Sequence, residues 1–480
     1  MKSFASRQQF LLVITILFAY ILTACQSLTS SEQAELLDQL LDPNTATVSV
    51  ALEAIEASNE ETFIAPLIDL LWANQIGVLE NAALSDIAAV LESLGVEEAE
   101  EDWVFLTDWY AQFKQPPPDG YLEWKSKLYA ELDPEFGELF TAPVADEFQL
   151  GEVVWGGVKK DGIPSLDYIE QVPILDVDGY TPKDAVFGIS INGDHRAYPL
   201  RVMDWHEMAN DIVGGVPIAL TYCTLCGSAI VYETEHPAAD KPFVFGSSGL
   251  LYRSNKLMFD RQTNTIWSQI TGKPVMGPLV GQVDHLELVP IVITTVEEWA
   301  AQHPDATILP METGFFRDYT AGAAYGDYFA RDTLLFPVGA VDERLPAKSQ
   351  VFALEVGDGA KAYPVESFAQ ESVINDAVSG ENVVLIGASS NINVYGYSYE
   401  LEYITYSAGG EIRAYERGEN TFRLSADGMI LDDADRVWQI TEDALLGPNG
   451  ELLKRLAGHV SFWFGWQSFF PETAVYGTGQ

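Results

Sequence analysis

"VFGISINGDHRAYPLRVMDWHEMANDIVGGVPIALTYC", residues 186–223, has a second version in the same chain: "VFALEVGDGAKAYPVESFAQESVINDAVSGENVVLIGA", residues 351–388. The two align without a gap, with Val186-Phe187 on Val351-Phe352, Ala197-Tyr198-Pro199 on Ala362-Tyr363-Pro364, Asn210-Asp211 on Asn375-Asp376 and Leu220 on Leu385. Downstream, "WSQIT" from Trp267 answers "WQIT" from Trp438, and "WAAQHPDATIL" from Trp299 answers "WQSFFPETAVY" from Trp466. Matched features in the same order predict two tandem versions of one fold, joined by a linker near Arg344–Gln350. Short β-branched and aromatic runs broken by Gly, Asp, Asn and Pro make that fold β-rich. A few helices are expected, one of them over "RVMDWHEMANDIV". Tyr198-Pro199 and Asn210-Asp211 persist in both versions and are expected mainly at turns and helix ends, where Asn and Asp side chains bond to nearby backbone.

Three residues of the first version are lost together in the second: Cys223 falls on Ala388, Cys226 on Asn391 and His206 on Glu371. A shared chemical site predicts joint loss, and so does drift in a degenerate copy. "C-T-L-C-G" from Cys223 has the shape of a metal knuckle, a strand entering a tight turn whose glycine tolerates a left-handed backbone. Two thiolates and an imidazole form a soft donor set suited to copper or zinc. Cys223, Cys226 and His206 are the expected ligands, with Glu207 as a further ligand or a hydrogen-bonding support. Met258, Met208 and His195 are candidates for a fourth position, although a methionine at such spacing is more often core filler. The site would serve metal handling or electron transfer. Two alternatives stand beside it, because paired thiols outside the cytoplasm tend to oxidise: a thiol–disulfide oxidoreductase with Cys223 attacking, or a non-catalytic scaffold with a structural disulfide.

The chain start sets the compartment. Lys2 and Arg7 precede an apolar run from Phe10 to Leu22, which ends in "LTAC". This describes an export signal over residues 1–24, and the cysteine after "LTA" resembles the bacterial lipobox, making Cys25 a lipidation site. The expected location is the cell envelope, with the chain held by its lipid anchor on the extracytoplasmic side. Gln26 is no evident inner-membrane retention signal, which favours the outer membrane or cell surface. The formal charge of −45 argues against nucleic acid as a partner, because polyanions would be repelled.

From residue 25 to 145 the pattern is helical: "SEQAELLDQLL" opens with a serine cap, and "VSVALEAIEASNEETFIAPLIDLLWAN" reads as two amphipathic helices joined at Ser58-Asn59-Glu60. The latter run resembles a HEAT-type helical hairpin, which implies scaffolding or a protein partner; a plain helical cap is the alternative. "QPPP", residues 115–118, interrupts the series. The predicted class is therefore α+β: a helical N-terminal domain, then β-rich repeats over 150–343 and 344–480. Weaker candidates are Asp260, Arg261, Ser268 and Gln269, which could line a cleft but more often form turn and strand-end bonds. No phosphate loop or nucleophile elbow is present. His236, His285 and His303 read as surface positions and His459, in "GHVSFWFGW", as part of aromatic packing.

"WGGVKKDGIPSLD", "AYPLRVMDWHEMANDIVGGVPIALTYCTLCGSAIVY", "SSGLLYRSNKLMFDRQTNTIWSQITGKPVMGPLVG" and "WAAQHPDATIL" resemble the domain of unknown function 3179 of bacteria and archaea, over about residues 150 to 480. Thr224 stands where that family usually has Pro after its first cysteine. The family pattern includes His206, Glu207, Cys223 and Cys226; it implies a domain and no established activity.

Overall fold

A computed structural model describes residues 27–97, 99, 102–113, 115–340 and 342–478. The export signal 1–24 and Cys25 lie outside the described residues. The chain divides into two compact units, residues up to 140 with 149–151, and residues 141–148 with 152–480.

The first unit is helical, as the periodicity predicts. Its main helices are Ser30–Leu40, Thr45–Ser58, Ile64–Gln75, Leu84–Ser93, Trp103–Tyr110 and Tyr121–Ala130. The first is capped by Thr29 rather than by a serine: Thr29 and Glu32 satisfy each other's backbone N–H groups in a capping box. Asn59, with φ 54°, ends the second helix in the left-handed conformation that asparagine tolerates better than most side chains. Inside the unit, Lys125 Nζ lies 3.0 Å from Asp69, and both are buried. Tyr121 donates its hydroxyl proton to the same carboxylate. No described helix is long and apolar enough to cross a membrane.

The second unit is β-rich. Its first segment contains three five-stranded sheets. One carries Leu288–Val289, Ser228–Glu233, Val216–Cys223, Met208–Val213 and Leu166–Asp167 in that spatial order. A second orders Ile291–Thr295, Ala185–Ile191, Asp194–Pro199, Thr307–Ile308 and Val172–Pro173. The third is built on the hairpin Phe245–Tyr252 and Asn255–Asp260. In the later segment, Gly458–Phe462, Gln350–Val356, Gly359–Pro364 and Ala474–Val475 repeat the order of the first four strands of the second sheet. Buried apolar groups from Leu166, Phe187, Val202, Leu220 and Val231 fill the space between the first two sheets.

Corresponding residues of the two segments make corresponding bonds. Tyr198 donates to Asp211 Oδ2 at 2.7 Å, and Tyr363 to Asp376 Oδ2 at 2.9 Å. The Asn210 amide clasps the backbone N–H and C=O of Phe245, each at 2.9 Å, and Asn375 does the same to Phe422 at 2.7 Å. Trp267 and Trp438 donate their indole N–H to Asp260 and Asp432, at 3.0 and 2.9 Å.

These bonds revise two expectations. The helix predicted over "RVMDWHEMANDIV" spans only Leu200–His206, and Met208–Val213 is a strand. Asn210 and Asp211 accordingly sit within a strand instead of at a turn or helix end. The residues persist because their side chains tie this strand to neighbouring elements, a role that local backbone preference does not disclose.

Asn210→Ala would leave the buried N–H and C=O of Phe245 without their partner. We expect a loss of about 1–3 kcal/mol, read as a lowered denaturant midpoint of the β-rich unit, with Asn375→Ala giving a loss of the same order.

Candidate functional site

Cys223 and Cys226 lie at the tip of the hairpin formed by Val216–Cys223 and Ser228–Glu233, in which Cys223 pairs with Ser228. Thr224 to Gly227 make the turn, closed by the Gly227 N–H on Thr224 O at 3.2 Å. Gly227 has φ +57°, and a Cβ there would stand 3.2 Å from the Phe462 ring, so glycine is favoured by backbone and by space. Just behind the turn, Gln269 Nε2 bonds Thr221 O, Thr221 Oγ1 and Ser228 O at 3.1–3.3 Å. This bracing is the role of Gln269, which is fully buried.

A second hairpin meets the thiols tip to tip. Tyr252 and Asn255 flank a two-residue turn whose members, Arg253 and Ser254, both have positive φ, 52° and 56°. Such turns match strand twist but ordinarily use Asn-Gly. Here side chains hold the unfavourable backbone. Arg253 grips Glu152 through two bonds of 2.8 and 2.9 Å, and Ser254 Oγ donates to Phe336 O at 2.9 Å. The turn presents Ser254 O to both sulfurs, 3.4 Å from Cys226 and 3.7 Å from Cys223. It also aims the Lys256 N–H at Cys223 Sγ, 3.4 Å, and the Asn255 amide at Cys226 Sγ, 3.6 Å. From a third direction the Phe462 N–H binds Cys226 O at 2.7 Å, and a Cβ on Gly465 would approach Cys226 Cβ to 2.8 Å.

The two thiols are free and buried, 1% and 0% exposed, yet they are not equivalent. Cys223 lines a cavity of about 160 Å³ together with Glu207, Lys256 and Tyr325, whereas Cys226 does not reach it. Burial, with the Glu207 carboxylate, pushes the Cys223 thiol up, but hydrogen bonding from Cys226 and from the Lys256 N–H outweighs both and leaves its pKa below the usual value. Burial pushes Cys226 well up, and its hydrogen bond to Cys223 adds to the rise. Cys223 is therefore the more acidic thiol of the pair.

Glu207 follows the helix Leu200–His206 in a left-handed conformation, φ 55°. That reversal sends neighbouring side chains to different places. Glu207 forms a buried ion pair with Lys256, Nζ to Oε2 3.2 Å, and accepts bonds from Thr224 Oγ1 and the Tyr325 hydroxyl at 3.0 and 3.3 Å. His206 has its Nδ1 2.8 Å from Pro164 O, an acceptor only, so Nδ1 carries the proton. Nε2 then accepts from the Tyr319 hydroxyl at 2.6 Å, and burial lowers the imidazole pKa. Both nitrogens of His206 are thus committed away from the sulfurs. Met208 and Met258 belong to the apolar core with Phe245 and Trp267. His195 stacks on His303, ring centroids 3.9 Å apart. Among the described residues no group of three or more His, Cys, Asp or Glu side chains is placed to hold a metal ion. The soft donors that do converge are the two sulfurs.

Of the weaker candidates, Asp260 is buried beneath Trp267 and Thr263, and Arg261 pairs with Asp161 at 2.7 Å; both are structural. Lys256, Asn255 and Tyr325 escaped the sequence reading. Lys256 and Asn255 stand beside Met258 in "SNKLMFD", where the two-residue turn was the available signal; Tyr325 lies far off in the chain with no pattern to mark it.

Replacing the donor thiol tests this asymmetry. In Cys226→Ala the Cys223 sulfur loses the hydrogen bonding from Cys226 that lowers its pKa, so the pH midpoint for Cys223 alkylation should rise relative to the parent. A midpoint unchanged or lowered would contradict the assignment.

No curated protein and no solved structure matches the chain. A family model does match, over residues 160–473, which include both hairpins at the thiols and most of the β-rich unit. The chain belongs to the family described as "Protein of unknown function (DUF3179)".

Proposed function

We propose that the protein is an extracytoplasmic lipoprotein, anchored through Cys25, whose first β-rich segment is a dithiol redox centre. Cys223 is the attacking thiol and Cys226 the resolving one. The observation that carries this reading is the inequivalence of the pair: Cys223 meets the cavity and takes the Lys256 N–H on its sulfur, whereas Cys226 lies outside the cavity lining and is the less acidic of the two. That division of labour suits dithiol redox chemistry, in which a more acidic sulfur facing the substrate space attacks and its neighbour resolves. In the same reading the later segment is a tandem duplicate that kept the folding bonds of Tyr363, Asn375 and Trp438 and lost the thiols. The helical unit serves as a HEAT-like spacer or protein-contact module.

A second reading keeps a soft metal, copper or zinc, on the two sulfurs. The N–H groups of Lys256 and the Asn255 amide directed at sulfur favour it, since such bonds also stabilise metal thiolates. His206 takes no part in it as the site stands.

Equilibration of the full-length chain in dithiothreitol redox buffers, with trapping of free thiols and peptide mass analysis, tests the first reading. It predicts one reversible two-electron transition that joins Cys223 to Cys226. Thiols that stay reduced throughout, or a pair that becomes trappable only after a chelator is added, would overturn it, the latter outcome in favour of the metal.

A further inference from the structure

Neither thiol is open to a macromolecule. Cys223 and Cys226 are 1% and 0% exposed, and the space in front of Cys223 is a cavity of about 160 Å³. A cavity of that size is comparable with an apolar one that takes up benzene, so a guest is limited to roughly ten non-hydrogen atoms. A disulfide on a protein loop or in a tripeptide is larger than that space. Val158, Ile163, Leu250 and Leu335 supply apolar wall. The two charges in the lining, Glu207 and Lys256, compensate each other. A small neutral guest with an apolar body matches these walls.

Lys256 serves the site twice. Its backbone N–H supports the Cys223 sulfur, and its ammonium group stands in the lining of the same cavity. The ammonium has three N–H bonds; among the described residues, Glu207 Oε2 and Glu207 O, each at 3.2 Å, are its partners. A third N–H is left for a guest. An acid beside an attacking thiolate matters most when the leaving group is strongly basic, because proton transfer then accompanies bond breaking. A departing thiolate has little need of it, whereas a departing alkoxide does.

Resting on the dithiol reading above, we propose that the cavity takes a small alkyl hydroperoxide, which Cys223 reduces with Lys256 as the acid. The Cys223 thiolate attacks the terminal peroxide oxygen, forming S–O and breaking O–O. The alkoxide takes a proton from the Lys256 ammonium and leaves as the alcohol. Cys226 then attacks the Cys223 sulfenic acid, forming S–S and breaking S–O; the hydroxyl leaves with the Cys226 proton as water, and Lys256 regains a proton from solvent. The peroxide gains two electrons, and the thiol pair supplies them.

The experiment mixes the reduced full-length chain, in detergent, with tert-butyl hydroperoxide or with oxidised glutathione at equal concentration. Oxidation is followed on the peptides that carry Cys223 and Cys226. The hydroperoxide should act about 100-fold faster than the disulfide and about 100-fold faster than it oxidises free cysteine. Lys256→Met combined with Glu207→Gln, which removes the acid without stranding a buried charge, should slow the hydroperoxide about 100-fold without slowing alkylation by chloroacetamide, since chloride needs no proton to leave and the Glu207 charge that raises the Cys223 pKa is gone. Equal or faster reaction with oxidised glutathione, or a variant that slows both reagents alike, would overturn the inference. Should the variant fail to fold, the two oxidants on the parent chain still decide. If the pair cycles in dithiothreitol buffers but the hydroperoxide is no faster than with free cysteine, this inference alone fails. If the pair never cycles, the dithiol reading fails first.

Discussion

The left-handed backbone at Glu207 decides which groups meet the thiols. Had the helix Leu200–His206 continued, residues 206 and 207 would have stayed on a helical surface. Instead the chain reverses at φ 55° and enters the strand Met208–Val213 at once. A non-glycine residue in this conformation carries a backbone cost, and such costs persist where the surroundings over-determine them. Here the surroundings are the Lys256 ammonium, the Thr224 hydroxyl and the Tyr325 hydroxyl, all on one buried carboxylate. A carboxylate taken out of water needs such a set of partners. The same reversal leaves His206 between Pro164 and Tyr319.

The sulfurs are treated in a parallel way. Backbone and amide N–H groups from one hairpin turn meet two thiols on another, and Arg253 and Ser254 keep that turn in its left-handed form through Glu152 and Phe336. The later segment has a different hairpin at the corresponding place, without thiols. Where the first segment has strands Val216–Cys223 and Ser228–Glu233, the later one has Glu381–Ser398 and Glu402–Glu416, a much longer arm. Its tyrosines 395, 399 and 403 are exposed. The bonds made by Tyr363, Asn375 and Trp438 match those of the first segment although the hairpin differs, so the framework and the hairpin tip are separable parts.

Much of this architecture was legible. Helical spacing marked the first unit, alternation and turn residues marked the β-rich one, and "C-T-L-C-G" announced a strand with a left-handed glycine after it. The role of His206 was not legible. "HEMANDIV" suits a helix almost as well as a strand, and one residue of backbone reversal at Glu207 changes where its neighbour points. Asn210 and Asp211 misled for a related reason: their usual turn chemistry concealed long-range bonds to Phe245 and Tyr198. Lys256 was hidden because a lysine in a strand ordinarily faces water, whereas here Glu207 compensates its burial. Tyr325 comes from a segment without periodicity, about a hundred residues away, and only the folded chain brings it to the site.

The central claim is that the two sulfurs form a redox pair rather than a metal seat. Native mass spectrometry of the full-length protein, released from detergent after purification without chelator, tests it most directly. The account predicts a metal-free chain, with air oxidation removing the mass of two hydrogens and linking the Cys223 and Cys226 peptides. Stoichiometric copper or zinc that disappears in Cys223→Ser/Cys226→Ser would contradict it.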